Sequence, residues 1–290
     1  MRLVSYADPH AAAWRAGIVR DGEVVDAQAA LGDTAAASVR GLLALGADRL
    51  HELAQAARST PAVGPRERLR LGPPVPDPDK ILCIGLNYTA HAEETRLEPS
   101  AAPTVFAKFR NSLVGDGDAI VVPPAAREVD FEGELAVVIG RRCRRVEEQD
   151  ALAHVGGVMP LNDVSARDLQ MQTSQWTAGK AIDTFAPCGP DLVLLDEAGN
   201  VQDLGIRTYV NGEVVQNART SQMIFRIPRI IAFLSSMMTL EVGDVIATGT
   251  PAGVGFTREP PIFLQSGDRV DVEIDGVGFL SNPVEREGRG

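Results

Sequence analysis

The sequence predicts an α+β chain that is mostly β. Short β-branched and apolar runs recur along it, and the dipeptides Asp21-Gly22, Asn211-Gly212 and Asp275-Gly276 stand between such runs as hairpin signatures. Apolar residues at helical spacing are confined to a few stretches, chiefly 39–57 and 221–238. At 290 residues the chain can bury a full core and build one large domain, or one plus a small one.

Taken in order, Leu3-Val4-Ser5-Tyr6 reads as a strand, and 13–20 with Asp21-Gly22 and Glu23-Val24-Val25 as a hairpin. Residues 39–57 then carry Leu and Ala at helical spacing, so one or two helices follow, with His51 a surface or packing residue. The proline-dense stretch 71–79 can form neither helix nor central strand and marks a boundary. It divides the chain into a small N-terminal α/β domain (1–72), a linker (73–79) and a larger domain (80–286).

Lys80-Ile-Leu-Cys-Ile-Gly85 is a compact buried strand that delivers the chain to Leu86-Asn87-Tyr88-Thr89-Ala90-His91-Ala92-Glu93-Glu94. If the segment from Thr89 is helical, His91 and Glu94 share a face, and a carboxylate three residues away can orient the imidazole. A histidine so partnered is suited to general base work near neutral pH, since its unperturbed pKa of ~6.5 needs little adjustment. A solvated helix whose histidine merely precedes two glutamates is the plainer reading of those residues alone. The strand from Thr104 carries Lys108 and Arg110, which either face an anionic substrate or answer nearby acids. A turn at Gly115-Asp-Gly-Asp118 and an edge strand, Ile120-Val-Val with Pro123-Pro124, follow.

Asp130-Phe-Glu132-Gly-Glu134 then runs into the buried strand Leu135-Ala-Val-Val-Ile-Gly140. Residues two apart on a strand point to one face, so Glu132 and Glu134 lie side by side. Two such carboxylates repel, and burying them costs several kcal/mol unless a positive charge sits between them. The third ligand is Asp163, at the end of the strand in Asn162-Asp163-Val-Ser165-Ala-Arg167-Asp168-Leu-Gln170, where Ser165 is expected to cap a short helix. The four histidines and three cysteines offer no pair at zinc-type spacing, and an oxygen set completed by water favours Mg2+ or Mn2+, with Ca2+ as the alternative. Outward-facing glutamates on an exposed strand would be the plain alternative.

Between the two acidic motifs, 141–145 is a basic surface turn and 147–155 a helix. Lys180, in a loop of small and apolar residues over 175–190, reads as a buried cation facing the carboxylates. Residues 207–215 form a hairpin, Pro228 opens a core helix, and 245–255 enters a glycine-rich turn that lacks the ending of a phosphate-binding loop. The last strand pair turns at Asp275-Gly276. A net charge of -11 argues against nucleic-acid or anionic-membrane partners. No apolar stretch approaches the ~20 residues of a membrane span, and unpaired cysteines with no signal-peptide pattern suit a cytoplasmic location.

Together, GLNYTAHAEE, DFEGELAVVIG, NDVSARDLQ, GKAIDTFAPCGP and TGTPAGVG, in that order between about 80 and 284, resemble the fumarylacetoacetate hydrolase family, in the manner of its acylpyruvase branch. The resemblance implies a mixed β-sheet roll with a small N-terminal domain, and a homodimer. It implies that Glu132, Glu134 and Asp163 hold Mg2+ or Mn2+, that His91 and Glu94 activate water on a lid helix, and that Lys180, Gln170 and Thr250 contact substrate oxygens. The implied reaction is hydrolysis of a carbon–carbon bond in an acylpyruvate or related β-diketo acid, giving pyruvate and a carboxylic acid. The alternative on the same residues is isomerisation or decarboxylation of an oxo-diacid, without an attacking water. A metal-stabilised binding protein would not need His91. Two departures stand out: Asn87 and Tyr88 occupy the neighbourhood where the enzymes of higher organisms add a metal-binding Asp, and Phe109-Arg110 follows Lys108 where many relatives have Pro.

Overall fold

The computed structural model describes residues 1–7, 13–96 and 100–288, which leaves His10 outside the described residues. Strands dominate them. The hairpins form where the turn dipeptides predict: Asp21 and Gly22 have φ of 49° and 79°, and Asn211 and Gly212 have 53° and 83°, the left-handed pair a two-residue turn requires. They join Trp14–Arg20 to Glu23–Asp26 and Gly205–Val210 to Glu213–Arg219.

Among the described residues an 11-stranded sheet has its centre at Gly133–Ile139, flanked by Val155–Asn162 on one side and Val245–Ala247 on the other. Val245–Ala247 in turn pairs in parallel with Ile81–Gly85, and Thr104–Lys108 closes that edge antiparallel. A five-stranded sheet runs Glu213–Arg219, Gly205–Val210, Arg269–Ile274, Gly278–Arg286 and Ile120–Val122, the last at the edge as expected. Both sheets mix parallel and antiparallel pairs, in keeping with the expected architecture.

Alternation along Gly133–Ile139 sorts the core into two layers. Leu135, Val137 and Ile139 pack with Ile206, Val272, Ile274 and Leu280 of the second sheet and with Ile227, Ile230, Ile231 and Leu234 of the helix Ile227–Met237. Ala136 and Val138 face the opposite layer, with Leu42, Leu43 and Leu53 of the N-terminal helices Val39–Leu45 and Ala47–Ala56. The central strand is therefore buried on both faces.

Two local expectations change. Residues Glu148–His154 are helical but wound as a 3-10 helix. Ser165 does not cap the helix Arg167–Gln170: it lies in the strand Ser165–Ala166, its hydroxyl donates to Asp163 O at 2.8 Å, and Arg167 N bonds Glu128 O instead. Across the expected boundary at 73–79 the large sheet is continuous, because Arg2–Ala7 pairs antiparallel with Asp191–Val193.

Candidate metal centre and active site

The register of the central hairpin builds the site. Gly133 pairs with Asn162, so Glu132 and Asp163 are neighbours just beyond the paired strands, tied by Asp163 N to Glu132 O at 2.8 Å and Glu132 N to Asn162 Oδ1 at 3.0 Å. Glu134 is two residues along. One ligand atom from each of Glu132, Glu134 and Asp163 can be chosen so that all lie within 4.8 Å of one another, and all three side chains are buried.

Three buried cations surround them. Lys180 Nζ lies 2.8 Å from both Glu132 Oε2 and Asp163 Oδ2. Lys108 Nζ donates to Asp163 Oδ1 at 2.6 Å and to Val164 O at 3.0 Å. Arg167 Nη2 sits 2.7 Å from Glu132 Oε1 and 2.9 Å from Asp130 Oδ2, its Nη1 donates to Gln170 Oε1 at 3.0 Å, and its guanidinium covers the Phe256 ring at 4.4 Å. Asp130 also accepts from Gly255 N at 2.7 Å, which fastens the glycine-rich turn to the site.

The charges separate the acids. Burial opposes ionisation of Glu132, yet Lys180 and then Arg167 bring its carboxyl down to about 2. Burial, reinforced by Asp163 and Glu132, pushes the Glu134 carboxyl well above the usual range. Among the described residues Glu134 has no lysine or arginine against it, and its Oε2 accepts only from Gly249 N at 2.7 Å. Four buried acids against three buried cations leave a carboxylate unmatched, and an oxygen set so placed fits a hard divalent cation.

Facing the triad is His91, on the helix Thr89–Thr95. Its Nδ1 is 2.7 Å from Glu94 Oε1, while Glu94 Oε2 accepts from Gly253 N at 2.9 Å and Thr257 Oγ1 at 3.2 Å. An Nδ1–H held by Glu94 leaves Nε2 as the basic nitrogen. His91, Glu132, Glu134, Arg167, Gln170, Lys180 and Thr250 share one pocket, walled on its apolar side by Ile84, Phe106, Met171, Trp176 and Phe256. Trp176 meets Phe106 edge-on at 5.3 Å and lies over Gly85, where a Cβ would come within 2.5 Å of the indole.

Two expected residues sit elsewhere. Lys108 is wholly buried behind Asp163 rather than on the pocket wall. Arg110 is exposed and does not reach the pocket: its strand ends at Lys108, and Arg110 lies in the turn Arg110–Ser112, at the end away from Gly85. Thr250 lines the pocket, but its hydroxyl is committed to Gly133 O at 3.0 Å. Asn87 is a clamp, donating to Phe225 O and Thr248 O at 2.9 and 2.7 Å and accepting from Phe225 N at 2.7 Å. Sequence reasoning passed over Asp130 and Arg167. The same alternation that pairs Glu132 with Glu134 extends back to Asp130 and was a usable signal.

Against this geometry, the sequence model of the fumarylacetoacetate (FAA) hydrolase C-terminal family matches residues 80–285. The chain belongs to the fumarylacetoacetate hydrolase family. It is 42% identical over 287 residues to a mitochondrial oxaloacetate tautomerase, fahd2, of Xenopus laevis, covering 98% of this chain and 90% of that protein. Among solved structures, the 2-hydroxyhepta-2,4-diene-1,7-dioate isomerase of Mycobacterium marinum superposes with a TM-score of 0.75 at 36% identity, covering 100% of both chains. The maleylpyruvate hydrolase of Sphingobium sp. SYK-6, in complex with manganese(II) and pyruvate, gives a TM-score of 0.83 at 32% identity, over 99% of this chain and 100% of that one. The relatives of this chain are thus enzymes of three reaction types on one fold, and a divalent metal accompanies one of them.

Proposed function

We propose that this protein is a metal-dependent enzyme that interconverts the keto and enol forms of a small 2-oxo acid of the oxaloacetate type. The observation that carries the reading is His91, held by Glu94, lining one pocket with Glu132 and Glu134 of the carboxylate triad. That arrangement suits proton transfer at carbon, and the identity to oxaloacetate tautomerases along nearly the whole chain supports tautomerisation. Glu132, Glu134 and Asp163 would hold Mg2+ or Mn2+, which would supply Lewis-acid polarisation of the substrate's 2-oxo group. His91 Nε2 takes a proton from C3, and the electron pair of that C–H bond becomes the new C2–C3 double bond. The protonated His91 then gives that proton up to the oxygen on C2, which completes the enol and restores the base. Glu94 keeps the imidazole in the tautomer that accepts, and Lys180 and Gln170 orient the substrate oxygens. Trp176, Phe106 and Phe256 exclude water.

A second reading, hydrolysis of an acylpyruvate to pyruvate and a carboxylic acid, is favoured by the same base, which could take its proton from water, and by the likeness to a maleylpyruvate hydrolase. One experiment divides the two. Decay of enol-oxaloacetate absorbance and pyruvate release from acetylpyruvate and longer acylpyruvates are followed with Mg2+, Mn2+ or chelator. Metal-dependent acceleration of the first, lost in His91→Ala, with no pyruvate release, is the expected result. Pyruvate release from acylpyruvates with the same dependence would move the assignment to hydrolysis.

A homodimer, a cytoplasmic location and a functional module beginning at residue 80 complete the proposal. The module is supported by the start of the family match at residue 80, and the location by Cys83, Cys143 and Cys188, which are buried and free as suits a reducing compartment. Among the described residues no helix is long and apolar enough to cross a membrane.

A further inference from the structure

Gly133 stands between two of the three carboxylates, where its strand loses a neighbour. Val245–Ala247 pairs with Ala136–Val138, and beyond Thr248, whose N–H still reaches Leu135 O at 3.2 Å, the neighbouring chain runs on as the irregular segment Gly249-Thr250. Buried backbone groups require partners, and on this side no strand among the described residues supplies them. Side chains do so instead. Gly133 N donates to Gln216 Oε1 at 2.9 Å, Thr250 Oγ1 donates to Gly133 O at 3.0 Å, and Gln216 Nε2 donates to Thr250 Oγ1 at 2.7 Å. The three bonds close a ring. Gln216 Nε2 also donates to Pro251 O at 2.8 Å, and because an N–H and a carbonyl demand opposite ends of an amide, the orientation of Gln216 is fixed by its partners.

Gln216 comes from Glu213–Arg219, a strand of the second sheet, and is 1% exposed. It lines no part of the substrate pocket. On the same side of Gly133, a Cβ would come within 2.0 Å of the buried Thr208 Oγ1, so residue 133 is confined by packing as well as by hydrogen bonds. With its N–H and C=O both held, the backbone from which Glu132 and Glu134 project has little freedom to change their separation.

We propose that Gln216 is a positioning residue for the metal centre, setting the spacing of Glu132 and Glu134 through the Gly133–Gln216–Thr250 ring. Outer-shell partners of ligands typically change metal affinity by about 10–100-fold when removed. The test is Mn2+ binding alone, by calorimetry and by the electron spin resonance of the bound ion, in Gln216→Met, Thr250→Val and the combined variant, with the melting temperature of each metal-free protein measured in parallel. The expected result is a Kd raised about 10–100-fold in each single variant, a changed Mn2+ spectrum, and little further loss in the combination, as befits one ring. A lowered metal-free melting temperature with wild-type Kd and spectrum would overturn the proposal and leave Gln216 a packing residue. Losses that multiply in the combination would overturn the ring as a unit. Should Gln216→Met not fold, Thr250→Val carries the same expectation and the same refutation.

Discussion

Two clusters of buried charge can be compared within this chain. In the N-terminal region Asp26 accepts from Tyr6 Oη at 2.5 Å, from Arg15 Nε at 2.7 Å and, as the N-cap of the helix Ala27–Leu31, from Ala29 N at 2.7 Å. One acid meets one guanidinium, and the remaining lone pairs meet neutral donors. The second cluster gathers Asp130, Glu132, Glu134 and Asp163 around Lys108, Lys180 and Arg167 and leaves Glu134 without a cation. The first is complete as folded, whereas the second leaves one carboxyl for an ion or a proton to balance. Buried charge by itself therefore does not mark a site; unbalanced buried charge beside a pocket does.

The sharpest way to break the comparison is Glu134→Ala, which is expected to abolish both Mn2+ binding and turnover, measured by calorimetry and enol decay. His91→Ala should separate the two: turnover falls by about 10²–10⁴-fold, the usual worth of a positioned acid–base group, while Mn2+ affinity stays at the wild-type value. Equal metal loss in both variants would refute the division of roles. Next in size is the effect of the ion on stability. With free Mn2+ at a hundred times its Kd, the folded state should gain about 2.7 kcal/mol in denaturant melts, a gain absent in Glu134→Ala and retained in Asp26→Ala. Opening the aromatic wall is subtler: Trp176→Ala should raise kcat/KM for a longer 2,4-diketo acid relative to oxaloacetate by about tenfold. Gly85→Ala, which pushes the indole aside, should move the ratio the same way.

The smallest effect belongs to the balanced cluster. Burial works against the charge of Asp26, but Arg15, Tyr6 and Ala29 bring its carboxyl below the ordinary value of 3.8. Because the folded-state value is depressed, the stability it contributes is fully present above about pH 4 and drains away as the pH falls through the lowered value. Asp26→Ala should cost about 1 kcal/mol at pH 7, the usual worth of a helix cap, and the gap to wild type should narrow in urea melts toward pH 3. A gap that widens on acidification would contradict this.

Local patterns made part of the molecule legible. Asp-Gly and Asn-Gly turns located the hairpins, and a period of two placed Glu132 beside Glu134. Spacing of three placed Glu94 against His91. What escaped was set by distant partners or by where an element stops. Lys108 and Arg110 would share a face on a continuing strand, but the strand ends between them. Gln216 meets Gly133 from 83 residues away and from another sheet, and nothing in its own neighbourhood announces that contact. The pairing of the N-terminal strand with Asp191–Val193 is likewise a choice among many available edges.

The bonds from Gly249 to Glu134, and from Gly253 and Thr257 to Glu94, reach further than geometry. During synthesis the ribosome has released the acids and the histidine long before it makes residues 249–257. A nascent chain thus carries the carboxylates and the imidazole without the turn that orients them. A chain interrupted before residue 249 would therefore lack the donors that hold the Glu134 and Glu94 carboxylates in place.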